Sequence, residues 1–190
     1  YAKIIIKKEM IEVKLLVVSD SHLYADHLQR VVNHYMTKVD YMIHCGDSSL
    51  PLNDSYIQKF DVVVKGNHDD APFPIYQTFQ HICVTHGHYY GVYYGYEQLI
   101  HLCQEENCYL CLHGHTHVPT IQKHQDITFV NPGSLMMNRG SYGYGTYALI
   151  DVNGKDIHVE FHHCITDALC QQDILDEGME LLEEFKQLLK

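Results

Sequence analysis

"VKLLVVSDSH", residues 13–22, is an apolar run broken only by Lys14 that stops abruptly at small and polar residues. A run this continuous reads as a strand buried on both faces, feeding a loop at its carboxyl end. The segments that follow repeat the pattern. "DHLQRVVNHYMT" (26–37) places Leu28, Val31, Val32 and Tyr35 on one helical face, with Asp26 as the expected N-cap. "DYMIHCGD" (40–47) is a second strand ending in Gly-Asp, "LNDSYIQKF" (52–60) a weak helix, and "DVVVKGNHDD" (61–70) a third strand ending in a polar turn. Strand, helix, strand, helix, strand is the rhythm of an α/β sheet with helices on its faces.

Further along, "IYQTFQHICVTHGH" (75–88) predicts two short strands, "YEQLIHLCQEEN" (96–107) a helix, and "CYLCLHGHTH" (108–117) another buried strand. "YGTYALIDVNGKDIHVEFHH" (144–163) reads as a hairpin turning at Asn153-Gly154. "QDILDEGMELLEEFKQLL" (172–189) closes as an amphipathic helix with Ile174, Leu175, Leu181, Leu182, Phe185 and Leu188 inward. With no linker or repeat between them, residues 10–190 are expected to form a single domain, and residues 1–9 an N-terminal extension of uncertain status.

A formal net charge of −11 argues against an extensive nucleic-acid surface or a grip on anionic membrane. An acidic chain can bind phosphate only where something local, such as a metal ion, reverses the field. No apolar run approaches the roughly 20 residues that span a bilayer, and the first segment lacks the uninterrupted apolar core of a secretory signal. The seven cysteines read as buried reduced thiols of a cytoplasmic protein. Cys108 and Cys111 alone have CxxC spacing, and they sit in a strand-like run without a second pair.

Five times an apolar strand ends in residues able to bind metal: Asp20/His22, Asp47, Asn67/His68, His86/His88 and His113/His115/His117. Ligands in open α/β sheets bind beyond the carboxyl ends of the strands, so five such ends would assemble one polar site from distant sequence. Carboxylate, imidazole and amide oxygen suit manganese, iron, zinc, nickel or cobalt rather than Cu(I) or an iron–sulfur cluster. There are too many candidates for one tetrahedral zinc. Two ions fit better, since a carboxylate can lend an oxygen to each and ions about 3.5–4 Å apart can share a water.

In order, these stretches read "DSH" (20–22), "GD" (46–47), "GNHD" (66–69), "THGH" (85–88) and "GHTH" (114–117). The chain thereby resembles the calcineurin-like metallophosphoesterases, and its length and "NPGS" (131–134) resemble the small bacterial and archaeal YfcE-type phosphodiesterase branch. The resemblance implies an α/β fold of two mixed β-sheets forming a sandwich flanked by helices (αββα), with a dinuclear metal site at the C-terminal ends of the strands. It implies one divalent ion held by Asp20, His22, Asp47 and His117. A second would be held by Asp47, Asn67, His86 and His115, with Asp47 as the bridge. Manganese is the first expectation. The implied reaction is hydrolysis of a phosphate ester, a diester before a monoester, by in-line attack of a metal-bridging hydroxide. Two dications and two carboxylates leave a local charge of about +2, which accounts for an acidic protein attracting phosphate.

His68 is the candidate general acid for the departing alkoxide, its imidazole being suited to proton donation near neutrality. Larger phosphatases of the family carry G-D-x-x-D-R, whose second Asp partners that histidine; here "GDSSL" places Leu50 at that position. His88 is read either as a substrate or supporting contact or as a loop histidine, and Arg139 as a clamp for phosphate. With Asn67 and His68, they complete the candidate substrate contacts. His113 is expected to be packed or hydrogen-bonded, not a ligand, and Asn131 and Ser134 either shape the loop beside the metals or form a turn only. The expected partner is a small phosphate ester or nucleotide, with a homodimer or higher homo-oligomer left open. A non-catalytic alternative comes from the same fold: a scaffold for protein partners, as in a retromer-type relative.

Overall fold

A computed structural model describes residues 12–22 and 25–189. The expectation for residues 1–9 lies outside the described residues. In chain order the elements are β1 (Val13–Val18), α1 (Ala25–Tyr35), β2 (Tyr41–His44), β3 (Val62–Val63), β4 (Tyr76–Phe79), β5 (Ile82–Thr85), α2 (Glu97–Glu105), β6 (Leu110–Leu112), β7 (Thr120–His124), β8 (Ile127–Asn131), β9 (Thr146–Asn153), β10 (Asp156–His163) and α3 (Gln172–Leu188). They form two five-stranded sheets, ordered β10-β9-β1-β2-β3 and β4-β5-β6-β8-β7. Both are mixed: β1, β2 and β3 run parallel in the first, β5, β6 and β8 in the second, and the outer strands return antiparallel. This is the expected helix-flanked two-sheet sandwich.

The apolar runs are explained by burial on both faces. Leu15 and Val17 of β1 point into the layer between the sheets, where they meet Ile43, Val84, Leu110 and Leu112. Leu16 and Val18 point the other way, onto Leu28, Val31, Val32 and Tyr35 of α1. The second sheet repeats the arrangement, with Cys83, Cys111 and Phe129 beneath Leu99, Leu102 and Cys103 of α2. Strands of this kind need no polar alternation, because neither face meets water.

Four local expectations are corrected. Asp26 lies in the first turn of α1 rather than at its cap, where its charge still complements the helix dipole. Instead of a helix over 52–60 there is a short 3₁₀ turn at Ile57–Lys59. Asp54 Oδ1 accepts from the Tyr56 and Ile57 N–H groups (2.8 and 3.1 Å) and starts that turn locally. The β9–β10 hairpin pairs Asn153 with Asp156, so its central residues are Gly154 and Lys155, with the positive φ (59°) at Gly154. Leu188 is 82% exposed, because the last turn of α3 carries its apolar face beyond the layer beneath, while Ile174 and Leu182 are buried as expected.

Candidate metal centre

The parallel strands of both sheets end on one edge of the sandwich, and the chain must turn sharply there to face its polar side chains inward. The backbone does so by adopting positive φ at non-glycine residues: Asp20 (50°), His22 (47°), Asp47 (55°), His115 (70°) and His117 (57°). Each such residue carries a cost of about 1–2 kcal/mol, and clusters of them are characteristic of functional sites. Loop-to-loop backbone bonds hold the strained conformation. Asp20 N–H donates to Gly46 O (3.0 Å), His22 N–H to Asp47 O (2.9 Å), and Gly114 N–H to His86 O (3.1 Å). The last of these ties together loops of neighbouring strands in the second sheet.

All seven expected metal ligands are tied to one another by direct contacts or ring packing around Asp20 and Asp47, His22 through its ring against His117 and its N–H to Asp47 O. Asp20, His22 and His117 present ligand atoms within 4.8 Å of one another, and so do Asp20, Asp47 and His86. His117 Nε2 lies 3.1 Å from Asp20 Oδ1. His86 Nε2 faces three oxygens: Asn67 Oδ1 at 3.2 Å, Asp47 Oδ2 at 3.3 Å and Asp20 Oδ1 at 3.8 Å. His115 donates its backbone N–H to Asp20 Oδ2 (3.1 Å), and its ring packs 5.1 Å from that of His86. Asp20 contributes to both of these groups, and Asp47, the shared ligand that the resemblance implies, to the second of them.

Two observations fit this set to cations. Asp20 is fully buried, yet among the described residues its Oδ1 has no well-aligned hydrogen-bond donor, only the Nε2 atoms of His117 and His86 nearby. A buried carboxylate oxygen left in that condition costs more than the roughly 1–3 kcal/mol of a neutral group, unless a positive charge sits beside it. His86 supplies the second. Its Nδ1 donates to Cys45 O (2.7 Å), so in a neutral ring the Nε2 lone pair points at three oxygens. That arrangement is repulsive until Nε2 carries a proton or a metal. Burial pulls the His86 pKa down, but Asp20 and Asp47 outweigh it and hold it above the ordinary imidazole value. Burial pushes the Asp20 carboxyl up, but His86 and His117 hold it well below the usual carboxylate range. Burial pushes His115 down to about 4, reinforced by His86, which keeps it neutral as a ligand must be.

The remaining expected residues surround this core. His68 is exposed, donates its N–H to Asp47 Oδ1 (2.7 Å), and sets its ring 5.5 Å from that of His22. His88 packs 5.2 Å from the His86 ring, with a buried Nδ1 lacking a hydrogen-bond partner among the described residues. Arg139 bonds His117 O through its own N–H (2.9 Å), while its guanidinium lies over the rings of Tyr93 and Phe185. Tyr93 in turn packs 5.0 Å from the His115 ring, so Arg139 stands at the rim. His113 is buried, its Nε2 3.1 Å from Tyr96 Oη, as a packed and bonded histidine should be. Ser134 Oγ donates to Asp20 O (2.9 Å) and Asn131 Nδ2 to Gly114 O (2.9 Å), so "NPGS" does brace the metal-facing loops.

Two residues that hold the site had no role in the sequence reading. Asp69 accepts from the Asp47, Gly66 and Ser49 N–H groups (2.8, 2.8 and 2.7 Å) and from Ser48 Oγ (3.1 Å), clamping the β2 and β3 loops together. Gly66 is part of that clamp, since a Cβ there would lie 2.0 Å from Asp47 Oδ1. His44 is buried with Nε2 2.9 Å from Ser21 Oγ, while its Nδ1 accepts from Gly46 N–H (3.2 Å). Burial pushes its pKa down to about 4, so it remains a neutral spacer between "DSH" and "GD". The last residue of "GNHD" was a signal for Asp69; nothing in the sequence separated His44 from an ordinary strand residue.

The calcineurin-like phosphoesterase superfamily domain model matches residues 13–155. The chain belongs to that superfamily. Bacillus subtilis YsnB, a probable metallophosphoesterase, is 30% identical over 153 residues, spanning 78% of this chain and 89% of YsnB. Among solved structures, a predicted phosphoesterase from Streptococcus pneumoniae superposes with a TM-score of 0.77 at 30% identity, covering 85% of this chain and 95% of that one. Vacuolar protein sorting 29 from Cryptosporidium parvum shares the fold (TM-score 0.67, 16% identity, 84% and 95% covered). The superfamily implies divalent metal ions, and the clusters around Asp20 are where this chain offers ligands for them.

Two outcomes follow for the site. With the His86 pKa held above the ordinary imidazole value by Asp20 and Asp47, proton and metal compete for Nε2, so Mn²⁺ affinity should rise with pH through and above 6.5. Calorimetric titrations in buffers of different ionisation heat will show proton release on binding; uptake without proton release would contradict a charged His86. Asp69→Ala should weaken Mn²⁺ binding by roughly 10–100-fold, the range for lost supporting contacts around a metal site. An unchanged Mn²⁺ affinity would show that the clamp does not position Asp47.

Proposed function

We propose that the protein is a dinuclear metal-dependent phosphodiesterase. The observation that carries this reading is the buried Asp20 carboxylate, one oxygen of which lacks a well-aligned hydrogen-bond donor among the described residues while two imidazole nitrogens converge on it. In this reading Asp20, His22, Asp47 and His117 hold one ion and Asp47, Asn67, His86 and His115 the other, with manganese as the preferred metal. When bound, such a pair supplies Lewis-acid activation of water and neutralises phosphoryl charge. The chain's own residues do the rest. Asp69 and the backbone bonds fix the ligand loops before substrate arrives, so no reorganisation is needed at the moment of reaction. Asn67, His88 and Arg139 line the approach for the phosphate oxygens.

His68 is positioned to give a proton to the leaving-group oxygen. Its ring is solvent-accessible and its backbone is fixed by Asp47, so it can exchange protons with water while staying near the metal edge. It also lines an open cavity of about 650 Å³ whose other walls include Leu50, Pro51, Leu52, Ala71 and Pro72. A largely apolar cavity beside the proposed acid suits the organic group of an ester, and a diester has a second such group to place. Leu50, which replaces the acidic partner of larger relatives, contributes to this wall. The geometry therefore favours leaving-group binding where those relatives have a charge pair.

Asp47→Asn and His115→Ala should each lower Mn²⁺-dependent turnover of a chromogenic phosphodiester by at least about a hundredfold while the far-UV spectrum is unchanged. Absence of turnover by the wild-type protein with any divalent metal, across mono- and diesters, would instead favour a binding scaffold on this fold. His68→Ala should cost roughly 10²–10⁴-fold with an alkoxide leaving group and far less with nitrophenolate, which departs without a proton. Equal losses for the two leaving groups would remove His68 from the acid role.

A further inference from the structure

The sulfurs of Cys83, Cys103 and Cys111 lie within 4.8 Å of one another, and all three residues are buried. They come from three elements. Cys83 of β5 and Cys111 of β6 are direct register partners on adjacent parallel strands. Cys103 comes from α2, which covers that face of the second sheet. The surroundings are apolar, with Leu99, Leu102, Ile127 and Phe129 in the same packed cluster. The phosphoesterase site uses none of these sulfurs.

We propose that Cys83, Cys103 and Cys111 form a second metal site, selective for a single soft, thiophilic ion. Three sulfurs at this spacing match the donor number and ligand type that select such ions, and no carboxylate or imidazole belongs to the cluster. The two centres therefore sort metals by donor chemistry: oxygen and nitrogen at the strand ends, sulfur beneath α2. The thiols also interact with one another. Hydrogen bonds from Cys111 and Cys83 pull the Cys103 thiol down to about 4, while the corresponding contacts with Cys103 push Cys83 and Cys111 up. Uptake is an exchange of S–H protons for the cation, with no change of oxidation state. Cys103 also borders an open cavity of about 450 Å³ between the end of α2 and the β7–β8 turn, whose lining includes Cys108, Gln125 and Asp126.

The test is an anaerobic titration of the full chain with Cu(I), held against a weak chromophoric chelator and followed by thiolate-to-copper charge-transfer absorption. The wild-type protein should bind one equivalent with that absorption, and so should His115→Ala and Cys108→Ala. Cys103→Ala should lose the band and at least about tenfold in affinity, with Cys83→Ser as a second removal read the same way should the first fail to fold. No Cu(I) uptake by the wild type, uptake without thiolate absorption, or an undiminished band in folded Cys103→Ala or Cys83→Ser would overturn the proposal. Because the readout is optical and the ion is soft, the outcome is independent of whether the strand-end site hydrolyses esters.

Discussion

One buried oxygen organises the molecule. Asp20 Oδ1 is withdrawn from water, has no well-aligned hydrogen-bond donor among the described residues, and stands within 4 Å of the Nε2 atoms of His86 and His117. A carboxylate in that position would be among the most costly features of a core without positive charge beside it, which imidazolium or a bound cation can supply. Around it the two sheets meet: Asp20 extends from the first, His86 and His117 from loops of the second. The edge of the sandwich that would otherwise be its most repulsive region is where the charges are arranged to receive metal.

Positive φ at Asp20, His22, Asp47, His115 and His117 is unfavourable for each residue alone. It persists because the strands leading into these turns cannot shift. β1 is buried on both faces, between α1 on one side and the second sheet on the other, and sliding it by one residue would exchange the two apolar sets. The strain is carried at the strand ends by packing deeper in the strands. Asp69 then joins the loops after β2 and β3, so the fold helps place the candidate ligands before they contact one another.

The elements legible in the sequence were those whose information is local. Apolar runs of three or four residues marked β1, β2 and β5, and helical spacing marked α1 and α2. The weakest expectations fell where a local side chain or a helix end decides. Asp54 started a 3₁₀ turn in place of a helix, and α3 ran past the layer that would have buried Leu188. The candidate ligands were legible because each is spaced within a short motif. His44 acts through contacts across loops that alternation along a strand does not reveal, and Asp69, though it closes "GNHD", shows its clamping role only in those contacts.

The thiol cluster shows the same division most sharply. The only CxxC pair, Cys108 and Cys111, contributes a single sulfur to it, and the other two come from residues 28 and 8 positions before Cys111. Strand register and the seat of α2 bring them together. By itself, the sequence determined that this chain builds strands ending in carboxylates and imidazoles, because strand burial and ligand chemistry are written in neighbouring residues. Only the tertiary structure decided that Asp20 is shared by both clusters, that Asp69 clamps the loops and that three cysteines converge, because each depends on distances between segments that only packing brings together.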